Sequence, residues 1–283
     1  MSDWSAASAP GRRPRGAEVD IWSIDLASPP VPVDDLWTVL SDDERDRAGR
    51  FHFERHRRRF TVRRGAMRML LGAYLNREPS SLDFTKGPKG KPDIEPPVTP
   101  KTRLVFNLTD SADLALLAVG ADQELGVDVE CLERPRDAGR LVERYFSESE
   151  RQVYSGLPET LKTDGFFRAW TSKEAYLKAI GTGLSVPLRY STVELDPRRP
   201  PRIVSLGDET EAARGWSLYA MRPADGFVAA LAIERRDNQL RTFRWQRPQE
   251  QGRFIAAVRD GIADSEAGRL IDNADLAEEL GND

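Results

Sequence analysis

"RLVFNLTDSADLALLAVGADQELGVDVE", residues 103–130, decides the fold class. Within it, 103–110, 112–120 and 124–130 are apolar runs of strand length, broken by short polar stretches, and are read as three successive strands. Upstream, "VDIWSIDL" (19–26) is a further strand. The segment 41–75 opens with Ser41 as an N-cap followed by acids, and Phe60, Met67, Leu70, Leu71 and Tyr74 recur at helical spacing, so it forms one or two helices with a buried face. "KGPKGKPDIEPPVTP" (86–100) is a loop by its glycines and prolines. Downstream, 141–157 and 164–181 are helices, the second closed by Gly181 or Gly183. "YSTVELD", "PRIVSL", "WSLYAMRP" and "GFVAALAIE" then supply four short strands up to Glu234. Strand, helix, strands therefore occurs twice, which predicts an α+β chain of two similar lobes, 18–123 and 124–247. Residues 1–17 are expected to be disordered. Residues 248–283 are expected to be an acidic helical tail, with nine acids against three arginines from Glu250 onward.

The chain has 283 residues, 31% charged and 39% hydrophobic, enough for a substantial core. Its 42 basic and 46 acidic residues leave a net charge of −4, not the balance of a chain that binds nucleic acid along its length. Cys131 is the only cysteine, the N-terminal stretch lacks an apolar signal region, and no run of about 18 apolar residues occurs, so a cytoplasmic protein without disulfides is expected. The only imidazoles, His52 and His56, lie in an arginine-rich segment; any metal would be held by oxygens.

In "GVDVE" (126–130), side chains two apart on a strand share a face, so Asp128 and Glu130 aim two carboxylates at one point. Two acids on a solvent-facing strand would also explain the pair; otherwise their repulsion calls for a cation, and a hard ion such as Mg²⁺ fits. In "WTSKEAYLKAIGTGLS" (170–185), Lys173 stands in an apolar stripe with Phe166, Trp170, Leu177 and Ile180, while Glu174 and Lys178 flank it. Glu174 could offer the same ion a third oxygen, and Lys173 and Lys178 would be countercharges to a phosphate-bearing ligand, although each singly is also read as a lysine snorkelling over apolar surface. Residues 50–68 hold eight arginines against Glu54 alone, either a solvated basic face or a phosphate-binding one. "GPKGKP" (87–92) adds amides, Lys89 and Lys91.

The ordered set "RF…RRRF", "GKP", "FNLTDS", "GVDVE" and "WTSKEAYLKAIGTGLS" resembles the large, two-lobed 4′-phosphopantetheinyl transferases of the surfactin-synthetase-activating type, over residues of about 19 to 235. The resemblance implies two lobes in pseudo-twofold arrangement, each a small antiparallel sheet packed on a long helix, with a ligand cleft between them. It implies transfer of the phosphopantetheine arm of coenzyme A to a serine of an apo acyl, peptidyl or aryl carrier protein, with release of 3′,5′-ADP, by a monomer. Asp128, Glu130 and Glu174 would hold Mg²⁺, Glu174 would be the general base and Lys178 would meet the pyrophosphate. Lys173 matches another lysine of the same motif, Arg47 and Arg59 match partners of the 3′-phosphate, and Lys91 matches the lysine beside the nucleotide. Where the family commonly has "NLSHS" this chain has "NLTDS": Asp110 replaces a histidine associated with phosphate binding, while Thr109 and Ser111 keep hydroxyls there. The alternatives are a non-catalytic coenzyme A or nucleotide-binding regulator, against which the intact acids argue, and a nucleic-acid-binding module using residues 50–68, which strongly salt-dependent binding would favour.

Overall fold

The computed structural model describes residues 4–87, 91–94, 103–132, 137–182, 185–235 and 237–247. Alternation along the strands builds two sheets that share a core. In β6 (Leu114–Ala121), Ala115, Leu117 and Val119 face one cluster of buried side chains, and Leu114, Leu116 and Ala118 face another. The first cluster lies under α3 (Glu54–Leu75), which presents Val62, Met67, Leu70 and Leu71 to it. β11 (Phe227–Ile233) divides in the same way: Val228, Ala230 and Ala232 face α6 (Glu159–Ala179), while Ala229, Leu231 and Ile233 join the middle cluster. Each lobe is thus a sheet with one long helix on its outer face, and the inner faces of the two sheets close on each other. Sheets buried on both faces explain why these strands are nearly continuously apolar.

The three-stranded sheet runs β10 (Ser217–Met221), β11, β7 (Leu125–Cys131) and is antiparallel throughout. The five-stranded sheet runs β1 (Ser5–Ala7), β12 (Gln239–Trp245), β2 (Glu18–Asp25), β6, β5 (Leu104–Ser111). It departs from the expected antiparallel sheet because β1, β12 and β2 are mutually parallel. β12 falls within the range assigned to the C-terminal lobe, 124–247, yet pairs with β2 of the N-terminal one. Buried Asp20 of β2 fixes that pairing: it accepts from Arg241 of β12 at 2.6 and 2.9 Å and from the Tyr74 hydroxyl of α3. The expected disorder of residues 1–17 is also corrected for residues 4–17. β1 covers the free edge of β12, Trp4 is buried, and Arg13 Nε donates to the Tyr74 carbonyl at 2.5 Å. The expected acidic tail, 248–283, lies outside the described residues.

Two of the helices begin at capping boxes, whereas α3 and α6 have Phe53 and Pro158 at the N-cap, and α6 opens at Glu159, ahead of the expected 164. Ser41 and Glu44 form a capping box that opens α2 (Asp42–Gly49). The helix expected over 141–157 is two, α4 (Ala138–Tyr145) and α5 (Glu148–Gly156), because Ser147 and Glu150 form a second capping box between them. Short strands β3 (Phe84–Lys86) and β4 (Pro92–Ile94) pair, so that part of the stretch 86–100 expected to be loop is strand. The lesser elements α1 (Val33–Thr38), β8 (Ser191–Val193), β9 (Ile203–Leu206) and α7 (Thr210–Ala213) complete the lobes. Among the described residues no helix is long and apolar enough to cross a membrane.

Candidate active site

β5 and β7 are the last strands of their sheets, and the two edges run side by side in the same direction. An edge strand leaves backbone groups unpaired; here side chains of β5 satisfy them. Val127 N donates to Asn107 Oδ1 at 2.9 Å, and Cys131 N donates to Ser111 Oγ at 3.1 Å. Between these two stitches Thr109 Oγ1 donates to Asp128 Oδ1 at 3.3 Å and Ser111 Oγ donates to Glu130 Oε2 at 3.1 Å. The hydroxyls expected at the site are therefore at the seam, each on one of the expected acids.

Period two on β7 puts Leu125, Val127 and Val129 into the middle core and Gly126, Asp128 and Glu130 on the opposite face, toward α6. A Cβ on Gly126 would stand 2.2 Å from the Ala175 carbonyl oxygen and 2.3 Å from the Ala179 nitrogen, so the helix backbone rests directly on this glycine. That approach delivers Lys178: its Nζ donates to Asp128 Oδ1 at 2.6 Å and to Thr109 Oγ1 at 2.9 Å. Glu174, one turn earlier and half-buried, shares the Lys178 side of the helix.

The expected metal set is only partly assembled. Asp128 Oδ2 is buried without a hydrogen-bond partner, an arrangement that is costly unless a cation serves it. Yet among the described residues no three acids, histidines or cysteines come together closely enough to hold a metal. The Lys178 ammonium sits on Asp128 at 2.6 Å and offsets part of the negative charge there.

Two other lysines differ from expectation. Lys173 is fully buried in the C-terminal lobe: its ammonium donates to the carbonyls of Leu188 (3.0 Å) and Ser191, pairs with Glu150 Oε2 at 2.8 Å and lies over the Phe146 ring. Burial pushes its pKa down while Glu150 pulls it up, with burial prevailing. It cannot reach a ligand in the cleft and is not a cofactor residue. Lys91 spends its ammonium on Glu124 Oε2 (2.8 Å), Leu125 O (3.0 Å) and Ala179 O (2.9 Å). It ties the start of β4 to β7 and to the end of α6, and borders a cavity of about 220 Å³ with Gly87, Pro92, Ile180 and Gly181. Its ammonium is taken up by these three oxygens.

The arginines of α3 are largely partnered. Arg59 Nε meets Asp113 Oδ1 at 2.7 Å, and Arg63 pairs with Asp110, the position where the motif departs from its family. Arg64 and Arg68 grip Glu44; burial pushes that carboxyl up, but the two guanidinium groups hold it below its ordinary range. Arg47, in the last turn of α2, lies over the Phe60 ring. Arg47, Phe60, Arg63, Arg64 and Asn107 line a cavity of about 520 Å³ that reaches the seam through Asn107. The sequence reading missed Asn107, Arg63 and Arg68; the last had a signal, a cation at core spacing within the stripe Phe60, Met67, Leu71.

Residues 32–122 match a family model described as the N-terminal part of 4′-phosphopantetheinyl transferase, and residues 124–232 match that of the 4′-phosphopantetheinyl transferase superfamily. The 4′-phosphopantetheinyl transferase HetI of Nostoc sp. is 40% identical over 216 residues, covering 76% of this chain and 87% of that protein. The human L-aminoadipate-semialdehyde dehydrogenase-phosphopantetheinyl transferase is 27% identical over 56% of this chain and 53% of its own length. Among solved structures, the holo-[acyl-carrier-protein] synthase of Thermotoga maritima aligns with TM-score 0.33 at 23% identity, covering 40% of this chain and 64% of that one. A holo-(acyl-carrier-protein) synthase from Bacillus anthracis in complex with CoA (3′,5′-ADP) aligns with TM-score 0.32 at 27% identity, over 39% and 93%.

Proposed function

The chain belongs to the 4′-phosphopantetheinyl transferase superfamily, and from that premise we propose that the β5–β7 seam is where it works. The enzyme transfers the 4′-phosphopantetheine arm of coenzyme A to a serine hydroxyl of an apo acyl, peptidyl or aryl carrier protein and releases 3′,5′-ADP. The observation that carries the placement is the cluster Lys178, Asp128 and Thr109, held between two sheet edges by the Gly126 contact. The serine oxygen attacks the β-phosphorus of coenzyme A, forming the new P–O bond as the bond to the bridging oxygen of 3′,5′-ADP breaks. Glu174 takes the serine proton, for which it must come within hydrogen-bond reach of the hydroxyl. Lys178 neutralises the departing phosphate, sliding from Asp128 onto it; both are charge-assisted contacts of similar strength. Positioning and charge neutralisation carry most of the catalysis, as in phosphoryl transfer generally.

Asp128, Glu130 and Glu174 would hold a hard cation such as Mg²⁺ once their oxygens close on one point, the unpartnered Asp128 Oδ2 among them, and its charge would offset that of the pyrophosphate. Arg47 and Arg59 serve the nucleotide 3′-phosphate, and Thr109 and Ser111 orient the acids. We read the protein as a cytoplasmic monomer, since one chain supplies both edges of the seam. Nucleic acid is not a partner in this reading: of the eight arginines in 50–68, Arg64 and Arg68 are turned inward onto Glu44, so the segment is not a continuous basic face. The test is incubation with coenzyme A, Mg²⁺ and apo carrier proteins, followed by intact-protein mass spectrometry. A gain of one phosphopantetheine arm on a carrier serine is expected; none on any acyl, peptidyl or aryl carrier refutes the proposal.

A further inference from the structure

We propose that the cavity of about 460 Å³ bounded by α6, β10 and β11 binds a small monocarboxylate with an apolar body, gripped by Arg168. This goes beyond the transfer reaction, since no residue assigned to the seam or to coenzyme A lines that cavity.

Arg168 carries the argument. It stands on α6 four residues after Asp164 and three before Thr171, so the three share one helix face and line the cavity together. Its Nη2 donates at 2.7 Å to the Arg199 carbonyl, in the connection between β8 and β9, which fixes the plane of the guanidinium. Its Nε is buried and has no hydrogen-bond partner. Among the described residues no carboxylate pairs with it at contact distance. Glu194 and Asp196 pull its pKa up from further away, but Glu194 is shared by Arg199 and Arg202 and Asp196 is held by Arg198, and burial prevails in pushing the pKa down. A guanidinium with a buried donor that the fold leaves unmet is costly, and an acceptor brought from outside offsets that cost.

The rest of the lining sets the charge and shape of the ligand. Arg222 meets Asp164 at 3.0 Å, so those two charges cancel and Arg168 leaves one positive charge over. The Thr171 hydroxyl is spent on the Phe167 carbonyl at 2.9 Å. The other walls are apolar: Pro197, Ala220, Met221, Val228 and Ala229. One cation among apolar walls suits a monoanion with a hydrocarbon body, because a planar carboxylate matches the guanidinium fork and its chain covers the walls. An inorganic anion would satisfy the charge and leave those walls uncovered. The cavity also adjoins the seam: Val228 is the cross-strand neighbour of Glu130, and Thr171 lies one turn before Glu174. A ligand held there abuts the transfer site without occupying it.

The experiment is calorimetric titration of the full chain with hexanoate, hexanamide, acetate and inorganic phosphate, for the wild type, Arg168→Gln and Arg168→Lys, each checked by thermal melting. One hexanoate per chain should bind the wild type. Hexanamide, which lacks the charge, and acetate and phosphate, which lack the apolar body, should each bind at least about tenfold more weakly. Arg168→Gln should weaken hexanoate at least about tenfold and leave hexanamide unchanged, and Arg168→Lys, which keeps the charge and loses the fork, should weaken hexanoate by a smaller factor. No binding of hexanoate to the wild type, equal affinity for hexanoate and hexanamide, or phosphate binding as tightly as hexanoate overturns the proposal without recourse to any variant. Hexanoate affinity that survives Arg168→Gln overturns it as well; should that variant fail to melt cooperatively, undiminished affinity in Arg168→Lys does so.

Discussion

Lys173 and Lys178 lie five residues apart on one helix and have opposite fates. Lys178 projects into the seam, where Asp128 and Thr109 hold it within reach of a ligand. Lys173 faces the core and meets Glu150, which also receives the Val193 amide and caps α5. Removing one partner of a buried pair strands the other charge. Lys173→Ala should therefore destabilise the fold by about 3 to 5 kcal/mol in denaturant melts, while Lys173→Met combined with Glu150→Gln recovers most of the loss. In that double variant KM for coenzyme A should match the wild type, which a cofactor-binding lysine would not allow. The stripe of Phe166, Trp170, Leu177 and Ile180 already placed Lys173 among apolar residues, so its burial was legible; the identity of its partner, 23 residues upstream on another helix, was not. Asp128 and Glu130 were legible from strand period alone. The ammonium lying between those acids and a metal site was not, because it depends on how far α6 descends onto β7.

That descent is set by Gly126, and the site depends on the element contact as much as on its charged groups. Gly126→Ala would press a methyl into backbone atoms that cannot turn aside; about 3 kcal/mol of destabilisation is expected, at the upper end for overpacking, with a fall in kcat as Lys178 is lifted from the seam. Melting and steady-state transfer on the same preparation check both. At the other end of the molecule, Glu18 opens β2 and holds Arg12, whose hydrogen bond brings the Glu18 pKa down from 4.5 to about 2. A folded-state pKa below the ordinary one stabilises above about pH 4.5 and loses that contribution as the pH falls toward 2. Glu18→Gln should accordingly lose less stability than the wild type across that window, though only modestly, since the pair lies at the surface, with Arg12 exposed and Glu18 partly so, and is screened. β2, β5, β6 and β7 were legible because strands buried on one or both faces write their period into the sequence. β1 and β12 were not: their pairing joins residues more than 200 positions apart, and the half-exposed "QLRTFRW" carries little apolar signal of its own.

At the scale of the whole molecule the two lobes are joined where their sheets end. The edges of β5 and β7 are stitched by Asn107 and Ser111, and the hydroxyl–carboxylate pairs lie along that seam. Two edge strands whose unpaired amides are met by side chains leave acids and a lysine in place of a continuous ladder. A single extended sheet would have used those groups for backbone pairing and left no such site. The repeat of strand, helix and strands made the two lobes readable, but where they meet is a tertiary fact that no local pattern records. The central claim is that this seam performs the transfer, and its most direct measurement is the rate of carrier modification, by intact mass, in Asp128→Asn and Glu174→Gln beside the wild type. Losses of at least about 100-fold in each are predicted, for Glu174 the scale of removing a positioned acid–base group, with both variants still melting cooperatively; wild-type rates in either variant would contradict it.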